Sequence, residues 1–162
     1  MKMEIRAAAF TGHRNILPEH RDELTALLAR AIEYLYSNGC RRFFSGGALG
    51  FDTLAAKQVI QFKLSHPDCE LHLILPCRNQ TDRWEQRDVD MYEFILSEAK
   101  TVRYISDNYT DGCMKKRNRM LVDLSDCLVA YFYREASGAG QTVRMARGAG
   151  KTVYNLISGL GK

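Results

Sequence analysis

The sequence predicts a doubly wound α/β domain, a mostly parallel sheet of about six strands with helices on both faces. Three observations carry that expectation. Short apolar runs alternate with segments of helical period from end to end. Several runs are continuous rather than alternating in polarity, as strands covered on both faces should be. The 162 residues, 46% apolar and 26% charged, suffice for one core and are ordinary for a globular chain.

The elements follow in order. Apolar runs place strands at 5–10, 42–45, 70–75, 101–105, 127–132 and 152–156. Pro18, suited to a first turn, opens the first helix, which stops before Gly39, and Leu24, Leu28, Ala31 and Leu35 form its stripe. A second helix follows Gly50 and aligns Phe51, Leu54, Ala55 and Phe62. The third carries Val89, Tyr92, Leu96 and Ala99, the fourth Met114, Leu121 and Leu124, and a short fifth spans 141–147. Right-handed βαβ crossovers then set helices on both faces. No linker, repeat or composition shift divides the chain, so residues 1–162 are expected to form one domain.

Composition removes several function classes. The longest apolar run, 127–133, is strand length, far from the ~20 residues that span a bilayer, so no membrane association is expected. The first ten residues carry Glu4 and Arg6 and no long apolar segment, which argues against a secretory signal. Five cysteines, odd in number and without a C-x-x-C pair, predict neither a disulfide framework nor a metal site, and a reducing cytoplasm fits them. A net charge of +4 suits an anionic ligand but falls short of the dense basic surface of non-specific nucleic-acid binders.

In such sheets ligands gather beyond the carboxyl ends of the strands, where the strand order reverses. Loops leaving each strand therefore rank first. The first strand runs into Thr11-Gly12-His13-Arg14. Gly12 permits close backbone approach, Thr11 offers a hydroxyl and Arg14 a fork for phosphate or carboxylate. His13 reads as a hydrogen-bonding residue rather than a base. The second strand ends in Ser45-Gly46-Gly47-Ala48-Leu49-Gly50, and a helix follows at once. Adjacent glycines permit a nest of N–H groups beside a positive helix start, the outline of a phosphate cradle, although the spacing is not the dinucleotide fingerprint. Asp52 reads equally as a carboxylate favouring the helix start or as an acceptor for ribose hydroxyls.

Arg78, Arg83 and Trp84 follow the third strand, where the tryptophan either stacks a base or, slightly favoured, seals the loop against the sheet. In Lys115-Lys116-Arg117-Asn118-Arg119 most basic side chains are expected on a solvated face. Asn118 instead falls on the apolar side, where its amide needs a backbone loop or a ligand. The fifth strand leads into Ser137-Gly138-Ala139-Gly140-Gln141-Thr142, a second glycine-rich turn whose Ser137 and Thr142 hydroxyls suit phosphate oxygens. Gly150-Lys151-Thr152 is no P-loop, because Met145 stands where the leading glycine must be and the run enters a strand.

Taken in order, Thr11 to Arg14, the stretch from Ser45 to Ala56, Pro76 with Trp84, and Arg117 to Asp123 resemble the YpsA-like branch of the SLOG superfamily, a Rossmann-like group that also holds the DprA/Smf and LOG proteins. The resemblance implies a Rossmann-like domain that recognises nucleotides or nucleotide-derived molecules such as NAD or ADP-ribose relatives. LOG-type phosphoribohydrolases carry P-G-G-x-G-T-x-x-E after the late strand. Here Met145 occupies the position of that family's catalytic glutamate, and a thioether can neither donate nor accept the proton, so their activity is not expected.

The resulting expectation is a cytoplasmic sensor or regulator that holds a nucleotide-type ligand and requires no cofactor. Its ligand-binding residues are Thr11, Gly12, His13, Arg14, Ser45, Gly46, Gly47, Gly50, Asp52, Asn118, Ser137, Gly138, Gly140 and Thr142. The enzymatic alternative is a hydrolase using Asp52 or Glu135. Single-stranded nucleic-acid binding through Lys115, Lys116, Arg117 and Arg119, as the likeness to DprA/Smf suggests, comes last. A homo-oligomer is left open.

Overall fold

The computed structural model describes residues 4–160, so the outermost ends of the expected domain, 1–3 and 161–162, lie outside the described residues. Its strands are β1 (Ala7–Gly12), β2 (Arg42–Ser45), β3 (Glu70–Cys77), β4 (Thr101–Ser106), β5 (Cys127–Tyr131) and β6 (Thr152–Asn155). Its helices are α1 (Arg21–Ser37), α2 (Phe51–Lys63), α3 (Gln86–Glu98), α4 (Cys113–Leu124) and α5 (Gly138–Gly148). Every strand pair is parallel, in the order β4-β3-β2-β1-β5-β6. The chain steps outward from β1 to β4, then returns through α4 to lay β5 on the far side of β1. Strand order therefore reverses between β1 and β5, the expected location for a ligand.

Side chains alternate across the sheet and divide the core into two layers. Ala8 and Phe10 of β1, with Cys127, Val129 and Tyr131 of β5, pack against Leu24, Leu28 and Ile32 of α1 and Phe51 and Leu54 of α2. Ala7 and Ala9, with Phe44, Ile74 and Leu128, face Leu121 and Val122 of α4 and Ala146 of α5. The three successive alanines give the central strand little side-chain bulk on either face.

Beyond shifts of one or two residues at the ends of β3, β4, β5 and β6, three differences from expectation bear on the site. β1 begins at Ala7 and runs on through Gly12, where 5–10 was predicted. The Asp126 carboxylate takes the Arg6 and Ala7 N–H groups at 2.8 and 3.0 Å, and pairing with β5 continues to Gly12 opposite Tyr131. Thr11 and Gly12 thus belong to the strand, and the loop starts at His13. The predicted first helix is split: Pro18–His20 forms a separate 3-10 turn ahead of α1. α5 starts at Gly138, earlier than the predicted 141, because the Ser137 hydroxyl accepts the Gly140 N–H at 2.9 Å and caps it.

Phe51 fixes the start of α2 beneath the end of β1. Its buried ring stacks on Tyr131 with centroids 5.9 Å apart and meets Phe10 edge-on at 6.3 Å. Phe51→Ala should lower stability by about 3–5 kcal/mol. The expected signature is a lower urea midpoint at unchanged slope.

Candidate functional site

A cleft of about 540 Å³ opens at the reversal point. One wall is the end of β1 and the loop after it, from Thr11 to Arg14. The second is the start of α4, with Lys115, Arg117 and Asn118, and the third is the loop into α5, with Arg134, Ser137 and Gly138. Gly138 and Ala139 supply the first two N–H groups of α5, which have no intrahelical partner, and the helix dipole adds positive potential there. Arg14, Lys115 and Arg134 are exposed around the rim, whereas Asp52 is the sole carboxylate among the lining residues. The cleft is electropositive at neutral pH.

Its floor is a buried polar knot. The Arg117 guanidinium donates from Nη1 to the Gly46 carbonyl at 2.5 Å and from Nε to Asn118 Oδ1 at 2.7 Å. Asp52 Oδ2 accepts the Ala48 N–H at 3.2 Å. A Cβ on Gly46 would lie 2.6 Å from Arg117 Nη1 and 3.0 Å from Asp52 Oδ2, so this position has no room for a side chain. Burial pushes the Asp52 carboxyl up to about 6, against the opposing pull of the Arg117 charge and the Ala48 N–H. The same loss of water lowers the Arg117 pKa, again opposed by Asp52.

His13 locks the loop after β5. Its Nε2 accepts the N–H groups of Tyr133 at 2.8 Å and Arg134 at 3.2 Å, which requires the neutral ring. Burial, then the Arg134 charge, holds its pKa below the ordinary value. The His13 backbone completes the lock: its N–H donates to the Tyr131 carbonyl at 3.0 Å and its own carbonyl accepts from Phe51 N–H at 3.2 Å.

Of the residues expected at the ligand, Thr11, Gly12, His13, Arg14, Asp52, Asn118, Ser137 and Gly138 line this cleft. Ser45, Gly46, Gly47, Gly50, Gly140 and Thr142 do not. The first glycine loop is not an open phosphate cradle. Gly46 and Gly47 are buried, the Gly47 N–H goes to Ser45 Oγ at 3.3 Å, and that hydroxyl donates to the Asp52 carbonyl at 3.2 Å. At Gly50, with φ of 83°, a Cβ would sit 2.0 Å from the Arg14 carbonyl oxygen. Gly140 packs on the Glu135 carbonyl, and the buried Thr142 hydroxyl donates back to Gly138 O at 2.9 Å. Ser137 lies at the cleft, but its hydroxyl is committed to capping and to the Arg134 carbonyl at 2.6 Å.

Glu135 is exposed, pairs with Arg144 at 3.6 Å and does not line the cleft. Met145 packs with the core on the α4 and α5 face. Lys115, Lys116 and Arg119 are solvated as expected, but Arg117 is buried, so the basic run does not form one exposed strip. That departure was detectable: Arg117 stands four residues before Leu121 and shares its inward face. Arg134 was missed, since a single arginine in a mixed loop carries no pattern.

Arg14, Ala48 and Met114 are shared with an adjoining cleft of about 670 Å³ that contains Trp84, and Arg14 also borders a third of about 510 Å³ beside α2. Trp84 is half-buried, meets Tyr92 edge-on at 5.4 Å and lies 5.9 Å beneath the Arg14 guanidinium.

The sequence profile of the YspA SLOG family matches residues 11–155. UPF0398 proteins of Bacillus cereus (strain G9842) and Bacillus thuringiensis (strain Al Hakam) are each 28% identical over 114 residues, covering 69% of this chain and 62% of theirs. The chain thus spans less than two thirds of the length of these relatives. DNA processing protein A from Helicobacter pylori, described for its single-stranded DNA binding mode, is similar at a TM-score of 0.65 and 24% identity, covering 91% of this chain and 63% of that one. The DprA protein of Streptococcus pneumoniae gives the same TM-score at 16% identity, with 91% and 49% covered. At these identities the likeness is one of fold.

Two pH effects of opposite sign follow from the buried groups. With Asp52 at about 6 in the folded state and near 3.8 unfolded, the native state holds its proton longer, so stability falls as pH rises through that window. Asp52→Asn should therefore remove this part of the pH dependence, so that its stability relative to the wild type improves between pH 4 and pH 8, in paired urea titrations. His13 has the reverse sign: its lowered pKa makes stability fall as pH drops below about 6.5. In His13→Gln that part of the acid sensitivity should be absent.

Proposed function

Because the chain belongs to the YspA SLOG family, we propose that it binds the phosphate of a nucleotide or nucleotide derivative in the cleft between β1, α4 and α5, as a sensor or regulator. The observation that carries this reading is a convergence. The free first N–H groups of α5 meet Arg14, Lys115 and Arg134 at the reversal point, with one carboxylate among the lining residues. Phosphate oxygens would take the Gly138 and Ala139 N–H groups, and Arg14 supplies a bidentate fork. Ser137 and His13 act through the backbone, holding the α5 start and its loop in place. NAD and ADP-ribose relatives belong to the ligand class, and no further cofactor is needed for binding.

Asp52 favours a second reading, hydrolysis of the bound nucleotide. It is the lining carboxylate, and burial brings it near the range useful for general acid–base work. Release of base or phosphate by the wild type, lost in Asp52→Asn with ligand affinity kept, would establish it.

Thermal-shift titration with AMP, ADP-ribose and NAD tests the binding reading. At 100 times Kd the ligand should add about 2.7 kcal/mol to stability. Gly138 has open space where a Cβ would sit, so Gly138→Asp should fold normally, its carboxylate favoured in a first helical turn. The same carboxylate repels phosphate, and affinity should fall at least about tenfold, or ~1.4 kcal/mol. Unchanged affinity would count against an anion at this helix start.

A further inference from the structure

We infer that the 670 Å³ cleft beside the phosphate site receives the nucleobase of the same ligand, with Trp84 as its stacking surface. This rests on the phosphate reading above and adds the other end of the molecule. The two clefts adjoin, with Arg14, Ala48 and Met114 lining both, so the two ends of one nucleotide would fall in neighbouring chambers.

The second chamber has the chemistry a flat, weakly polar ring requires. Trp84 is braced edge-on by Tyr92, which is itself held by a 3.1 Å bond from Gln80 Nε2 to its hydroxyl. Tyr109 remains 62% exposed at the rim, an aromatic surface left to water beside a half-buried indole. Its backbone is fixed by the Tyr109 N–H donating to Asn79 Oδ1 at 3.0 Å. Those bonds use the oxygen of Asn79 and the nitrogen of Gln80. The opposite amide atoms, a donor on Asn79 and an acceptor on Gln80, remain to read a base edge. Arg14 lies over Trp84 at the junction, where one guanidinium meets both the ring system and the phosphate.

Trp84 is the sole tryptophan, so emission excited on the red side of tyrosine absorption reports this chamber alone. AMP and ADP-ribose should quench it, whereas ribose 5-phosphate, which lacks the base, should raise the melting temperature without quenching. By calorimetry, Trp84→Ala should weaken AMP at least about tenfold and leave ribose 5-phosphate unchanged, as loss of one stacked base implies. Trp84→Phe, which keeps an aromatic face against Tyr92, should restore most of the AMP affinity. The proposal is overturned if AMP binds without quenching and Trp84→Ala binds it as the wild type does; the phosphate reading then survives. It is also overturned if Trp84→Ala weakens AMP and ribose 5-phosphate equally, the mark of a merely structural residue. Failure of both probes to bind removes the phosphate reading and this one together.

Discussion

A charged side chain taken out of water must be answered by partners on every side, and Arg117 is the residue that imposes this constraint here. Its guanidinium reaches from α4 to the carbonyl of Gly46, takes the amide oxygen of Asn118 and lies within the field of Asp52. Removing any one partner would leave a buried charge uncompensated, which costs far more than the pair contributes when intact. The knot therefore joins α4, the helix that carries the chain back across the sheet, to the loop after β2. It ties the α4 wall of the cleft to the floor beneath it.

Precision at the cleft comes from groups that hold the backbone around it in place. His13 neutralises two backbone donors of the loop after β5, and Ser137 caps α5. Both are polar residues in loops, the usual profile of ligand contacts, yet His13 Nε2 and the Ser137 hydroxyl are occupied by the protein. What they leave outward is a set of backbone N–H groups and long cationic side chains. Backbone donors at a helix start need no reorganisation to meet an oxyanion.

The fold was legible because nearly every element carried its own punctuation. Continuous apolar runs marked parallel strands, and Gly39 and Gly50 marked turns. The larger boundary shifts arise where one side chain decides them, as Asp126 does from across the sheet for β1 and the capping Ser137 does for α5. Half of the site was legible for the same reason: the reversal rule picks out loops, and Arg14 and Gly138 sit in them. The Gly46-Gly47 pair was not, because glycine answers two different demands, close approach by a ligand and close approach by the protein itself. Here Arg117 and Leu75 fill the space the glycines vacate. Spacing cannot tell these demands apart, since both leave the same letters. Arg117 was obscured by its neighbours, a buried cation inside a run of solvated ones.

Arg14 borders three hollows at once and is held in none by a carboxylate among the described residues. Its several rotatable bonds let the same head swing among them. Any turn of that head into one chamber would take space there and release it in a neighbour, so a guest and the arginine compete for the same room.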